Sequence, residues 1–265
     1  MILHRVGSKV VLAKHSGMLS LFPPHANFID MFFGAGGLFF NKPKSKYNIC
    51  NDINDEVFNL FMVIKEQKES FIQELTKTPF HQSLFKHWVK NKELDPILKA
   101  IRFIFLSNSS LYSTMTTMKF TIQSNDKKLI LDKVNTTFDF IQDVRFMNSD
   151  FRNVISSMSF RDNDDIQNSF IYADPPYLGT SNTYGKDSKP MNFSFSDTEE
   201  LFDILVKSGI RFALSELDNE FILNLAKKHD LEVIPLRSKI GIKKFQNEIL
   251  VVNYNTRIGK QLDLI

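Results

Sequence analysis

An apolar run, Ser169-Phe170-Ile171-Tyr172-Ala173, stops at Asp174-Pro175-Pro176-Tyr177, and no other segment is better equipped for chemistry. A β-rich run that meets two prolines cannot continue its ladder, because neither proline has an N–H and each biases its predecessor towards extended geometry. The strand therefore ends there. Extended geometry turns the Asp174 side chain and the Pro175 carbonyl outward together, as two acceptors matched to the two hydrogens of an exocyclic amino group. Tyr177 adds a flat face for a planar base. The same string would also make a tight turn, with Asp174 capping a helix and Tyr177 in the core, so other segments must decide.

A second candidate follows the strand-like residues 26–33, which include Asp30, Phe32 and Phe33 and feed Gly34-Ala35-Gly36-Gly37 and a short helical Leu38-Phe39-Phe40. Glycines after a strand let backbone N–H groups approach a ligand closely. Lys46 to Cys50 forms a further strand ending in Asn51-Asp52-Ile53, which places Asp52 where an acidic side chain grips ribose hydroxyls in such folds. The glycine spacing lacks the full dinucleotide signature, so an adenosine ligand without a pyrophosphate fits better. The alternative is that the glycines serve close packing and Asp52 caps the next helix. Asp150-Phe151, read as the end of a third strand, offers an acceptor for an adenine amino group beside an apolar ring. Arg5-Val6-Gly7-Ser8-Lys9 is a turn with two cations, by default a solvated surface.

The elements that would position these groups alternate strand and helix, which indicates a parallel α/β sheet. The alternation lapses from Phe71 to Leu106, where helical patterns follow one another without a strand. Ser- and Thr-rich residues 107–117 and a β-like stretch at 119–123 come next. Residues 57–145 are read as an inserted, mostly helical domain whose polar loop or hairpin could enter a groove. The alternation resumes at Arg145 with strands ending near Asp174, Ser215 and Leu236, and a last strand, Glu248 to Tyr254, pairs as a hairpin with its predecessor. The loop over residues 179–189 is placed to act as a lid.

Bulk properties narrow the class. At 265 residues and 43% hydrophobic, the chain can bury a large core without staples. The single cysteine, Cys50, excludes an internal disulfide and reads as a small core residue in a reducing compartment. No apolar run approaches the roughly 18 residues of a membrane span, and cations near the start replace the apolar stretch of a signal peptide; the expectation is a cytoplasmic protein. The net charge is +3, and residues 57–145 hold 13 Lys and Arg against 9 Asp and Glu, so the positive excess sits in that segment. Such a balance permits a nucleic-acid partner.

Taken in order, these motifs make the chain resemble the Dam-type (D12) class of DNA adenine-N6 methyltransferases over most of its length. Gly7-Ser8-Lys9 stands for that family's N-terminal Gly-Gly-Lys turn, and Phe32-Phe33-Gly34-Ala35-Gly36 for its Phe-x-Gly-x-Gly turn. Asn51-Asp52 stands for its ribose motif, residues 57–145 for its target-recognition insertion, Asp150-Phe151 for its Asp-Phe and Asp174 to Tyr177 for its Asp-Pro-Pro-Tyr. Leu214-Ser215 and Asn247 to Tyr254 look like later motifs. Two positions depart: Arg5 stands where an aromatic residue is usual, and Asp30 where a Glu is usual.

The resemblance implies a Rossmann-like class I methyltransferase sheet, residues 1–56 and 146–265, carrying the helical insertion. It implies S-adenosylmethionine as methyl donor, held by Arg5, Gly7, Ser8, Lys9, Asp30, Phe32, Phe33, Gly34, Ala35, Gly36, Gly37, Asp52, Ile53, Asp150, Phe151 and Asp174. Asp174, Pro175, Pro176 and Tyr177 would act on an everted adenine. Asn108, Ser109, Ser110, Thr116, Lys119 and Gln123 would contact double-stranded DNA. No metal is implied. A monomer at the nucleoid is the expected form, a dimer being the alternative, with a cognate restriction endonuclease as a further partner. Competing readings are an adenine-N6 methyltransferase of ribosomal RNA, transfer to cytosine N4 or a glutamine amide, and a DNA-binding homologue that has lost activity.

Overall fold

A computed structural model describes residues 2, 3, 9, 10, 13, 16–111, 115–119, 126–178, 193–236 and 248–256. Within them, seven strands form one sheet: β1 (Asn27–Asp30), β2 (Tyr47–Asn51), β3 (Val144–Met147), β4 (Ser169–Ala173), β5 (Arg211–Leu217), β6 (Glu232–Leu236) and β7 (Glu248–Val252), in the spatial order β3-β2-β1-β4-β5-β7-β6. The first five run parallel, whereas β7 inserts antiparallel between β5 and β6. All five residues of β4 are buried, as a central parallel strand covered on both faces requires. Alternate residues feed two cores: Phe28, Phe170 and Tyr172 point into one, and Ile29, Ile171 and Ala173 into the other.

The strand order reverses between β1 and β4, and open α/β sheets bind ligands outside the carboxyl ends of their strands at such a switch point. Asp30 closes β1 in register with Tyr172 of β4, so the acid ending one strand lies beside the chain that runs into Asp174. The expected Rossmann-like methyltransferase sheet is thus present, and the last strand pairs with its predecessor as anticipated.

Between β2 and β3 the chain makes α1 (Asp55–Glu66), α2 (Lys68–Lys77), α3 (Gln82–Lys90), α4 (Pro96–Ser109) and α5 (Asp126–Ile141). Sequence-local signals set their starts. The Asn54 side chain accepts from the N–H groups of Glu56 and Val57, and Asp95 caps α4, whose first residue is a proline that needs no N–H partner. Helix α1 begins at Asp55, so it runs through the boundary drawn at residue 57. Lys65 on this helix donates to the Val144 carbonyl of β3 at 2.5 Å, tying α1 to the sheet. Arg102 on α4 is almost fully buried and pairs with Glu56 of α1 at 2.9 Å, while its Nε donates to the Trp88 and Asn91 carbonyls at 2.9 Å each.

One strand limit differs from expectation. β3 ends at Met147, and Asp150 caps a short helix, α6 (Phe151–Val154), by accepting from the Arg152 N–H at 3.0 Å. An Asx cap satisfies the helix's open N–H groups, and this local preference outweighs the extended reading of residues 148–151. Helices α7 (Asn163–Gln167), α8 (Phe195–Lys207) and α9 (Glu220–Lys228) complete the connections.

Candidate active site

The prolines end β4 as the sequence requires, and they leave Asp174 with 18% of its side chain exposed at the mouth of the switch point. Lys9 Nζ lies 3.1 Å from Asp174 Oδ1 and 3.2 Å from Glu248 Oε2, and it donates to the Tyr177 hydroxyl. That hydroxyl in turn donates to Glu248 at 3.1 Å and is 3.2 Å from Ser215 Oγ. Four distant stretches of chain converge here: the N-terminal turn, the end of β4, the middle of β5 and the start of β7.

Burial dominates the electrostatics. It pushes Asp174 up to about 6, against the pull of the Lys9 ammonium and with a further push from Glu248. Lys9 is drawn down by burial, but Asp174 and Glu248 outweigh this and raise it above the usual lysine value, so it is an ammonium at neutral pH. Asp30 is 2% exposed, its Oδ1 has no hydrogen-bond partner among the described residues, and burial followed by the nearby Asp174 and Asp52 charges raises it far above the carboxylate range. Glu216 is wholly buried and pushed to about 7 by burial; its carboxylate accepts from the Leu217 and Leu178 N–H groups at 2.6 and 3.4 Å, the second anchoring the chain just past Tyr177.

The glycine turn behaves differently from expectation. Gly34 (φ 56°) donates its N–H to Asp52 Oδ2 at 2.7 Å, and Asp52 Oδ1 accepts from the Asn54 N–H at 2.8 Å, so Asp52 locks the turn. Phe33, Ala35, Gly36 and Gly37 are buried. Phe33 packs edge-on against Phe39, Phe61 and Phe146, which places it in the core instead of against a ligand. A Cβ on Gly36 would stand 2.6 Å from the Phe40 ring and 2.7 Å from that of Phe33, at a φ of 69°. This glycine makes room for aromatic packing, and Phe32 and Gly34 are the turn residues left partly open. Gly36→Ala should therefore cost about 2 kcal/mol or more in stability through overpacking and left-handed strain, read as a lowered thermal midpoint.

Asn51 holds the neighbouring chains together, donating to the Met31 and Ser149 carbonyls at 3.1 and 3.0 Å and accepting from the Ser149 N–H at 3.0 Å. Phe32, Phe151 and Phe193 form an aromatic trio with centroids 5.4–5.9 Å apart, beside the turn. Asp150 is engaged by Arg152, which also binds Asp197 and Glu200, so its carboxylate is partly committed to a local ion cluster. Ile53 is 46% exposed next to Asp52.

The anticipated DNA contacts divide. Asn108, Ser109 and Ser110 are buried at the end of α4, where Asn108 donates to the Ile2 carbonyl at 2.9 Å and Ser110 Oγ accepts from the Met115 N–H at 3.1 Å; burial withdraws them from direct contact with a duplex. Thr116 is exposed and Lys119 half-buried, on a turn closed by the Ser110–Met118 bridge. Arg5, Gly7, Ser8, Gln123 and the loop over residues 179–189 lie outside the described residues. Sequence reasoning gave no role to Ser215, Glu216, Glu248 or Phe193, although a Ser-Glu pair inside the apolar run of β5 and a Glu opening the apolar run of β7 were visible departures from pattern.

The buried Asp30 Oδ1, without a partner among the described residues, is open to a hydrogen-bond donor. Among the described residues no helix is long and apolar enough to cross a membrane.

Comparison with known proteins agrees with this geometry. A family model described as D12 class N6 adenine-specific DNA methyltransferase matches residues 6–240. A modification methylase (StsI) of Streptococcus sanguinis is 27% identical over 96% of this chain, which spans 43% of that protein's length. A type II methyltransferase of Lactococcus lactis subsp. cremoris is 24% identical over 86% of each chain. A DNA adenine methylase of Salmonella typhimurium is 25% identical over 84% of this chain and 85% of its own.

Proposed function

The chain belongs to the D12 class of N6 adenine-specific DNA methyltransferases, and from that premise we propose that it methylates N6 of an adenine everted from double-stranded DNA, with S-adenosylmethionine as donor, as the modification enzyme of a restriction-modification system or as a solitary methylase. The observation that carries this reading is Asp174, a mostly buried acceptor with a small exposed part beside the switch point of the sheet, set against Lys9, Tyr177 and Glu248.

Asp52 would hold the cofactor's hydroxyl groups, the unpartnered Asp30 oxygen would meet a hydrogen-bond donor, and Phe32, Phe151 and Phe193 offer apolar surface. When bound, S-adenosylmethionine supplies a methyl group on an electrophilic sulfonium. A stacked adenine cannot reach such a group, so it must leave the duplex at a cost of a few kcal/mol, which contact with the Tyr177 ring partly offsets. Asp174 and the Pro175 carbonyl then accept the two amine hydrogens. Doing so pulls the N6 lone pair out of conjugation and orients it, which is catalysis by positioning and electrostatics. The proton that N6 sheds leaves along the hydrogen bond to the Asp174 carboxylate.

The helical segment between β2 and β3, with its excess of cations, is the surface for the duplex, and Thr116 and Lys119 on its exposed turn are the contacts retained from the sequence reading. Sequencing methylated bases in DNA from cells expressing the protein should show N6-methyladenine at one recurring site. Unmodified adenines there, with methyl transfer to ribosomal RNA or to cytosine instead, would overturn the assignment.

A further inference from the structure

The Lys9 ammonium occupies one oxygen of the carboxylate on which the proposed target amine would be held. It is 3.1 Å from Asp174 Oδ1, yet Glu248 Oε2 is an equally near alternative at 3.2 Å. The two carboxylates are not equivalent: Asp174 has 18% of its side chain exposed, whereas Glu248 has 7%. Glu248 is also fixed, since β7 is held on both sides, pairing Glu248 with Leu217 of β5 and Leu236 of β6. Its Oε2 is further bound by the Tyr177 hydroxyl at 3.1 Å.

We propose that Glu248 is a positioning residue of the site: it is the second seat of the Lys9 ammonium, holding it away from Asp174 while the target amine occupies that carboxylate. Moving a buried ammonium to a place without a counter-charge is strongly unfavourable, whereas moving it between two adjacent carboxylates keeps one ion pair throughout. The long lysine stem supplies the motion, and the strand-bound Glu248 supplies the fixed end. Glu248 would thereby clear Asp174 without leaving Lys9 uncompensated, and it would keep the Tyr177 ring in place as the exchange occurs.

This inference rests on the adenine-methylating reading, and the two fail differently. The test uses the full chain, S-adenosylhomocysteine, and a duplex carrying the site found by sequencing, with either adenine or the same base lacking its amino group at the target. Wild-type protein should bind the adenine duplex about tenfold more tightly, the worth of hydrogen bonds to a charged acceptor. Glu248→Gln keeps an acceptor for the Tyr177 hydroxyl but loses the charge, so Lys9 stays on Asp174 and the preference should shrink to within about twofold. Adding Lys9→Met to that variant should restore the preference, which damage to the fold could not do. A wild type without preference, a Glu248→Gln variant that keeps it, or a loss that Lys9→Met does not restore would each overturn the proposal. Absence of N6 methylation by the wild type would instead overturn the functional reading beneath it.

Discussion

Asp174→Ala should lower kcat for methyl transfer by about 10³-fold, the scale of losing a preorganised group that acts on the reacting atoms. The fold should survive, because Asp174 lies beyond the last residue of β4 and is partly exposed, and Lys9 keeps its pair with Glu248. Cofactor affinity should be weakened but measurable. Asp174→Asn is the sharper variant, since its amide nitrogen presents hydrogens where the amine requires an acceptor. A tritiated-methyl assay that returned the wild-type rate for either variant would remove Asp174 from the chemistry.

The same residue predicts a pH dependence. Burial raises Asp174 to about 6, and its ionised form is the acceptor that works alongside the Pro175 carbonyl on the target amine. In the wild type, kcat/KM should therefore be flat above this value and fall as pH drops through it, well above the range of an ordinary aspartate. Glu216, pushed by burial to about 7, titrates nearby. The limb should persist in Glu216→Gln, and its disappearance there would reassign it.

Arg102→Ala should destabilise the protein by about 3 kcal/mol, the scale of breaking a buried ion pair. The guanidinium is 1% exposed and joins three pieces of chain: Glu56 on α1, and the Trp88 and Asn91 carbonyls around the end of α3. Removing it leaves those acceptors without their donor and opens a cavity beneath α4. Urea unfolding should show a lower midpoint with an unchanged slope. Arg102→Met, which refills the volume, should recover part of the loss, and a midpoint equal to wild type in Arg102→Ala would show that the pair contributes nothing net.

Much of this architecture was legible in the chain because it is written in local terms. A strand stopped by two prolines, a glycine turn after a strand and an acid at the end of the next strand each have a short-range physical cause, and all three stand where the sequence places them. What sequence reading could not supply was the direction of each side chain. Gly36 and Phe33 belong to the motif but serve an aromatic core, because neighbours from α1 and β3, distant in sequence, fill the space beside them. The polar cluster at residues 108–110 looked like a loop facing a groove, yet α4 extends through Ser109 and buries it. Glu248 lay within a stretch that resembles a later motif, but its place beside Lys9 and Tyr177 comes from the antiparallel insertion of β7 beside β5, which the sequence does not spell out.

That insertion bears on how the protein is born. The cation of the site comes from position 9 and its more deeply buried acid from position 248, so the pocket joins stretches far apart along the chain. A nascent chain still threading the ribosome would hold Lys9 and Asp174 without the strand behind them. Enzymatic competence would then arrive in one late step, when β7 slots between its two neighbours.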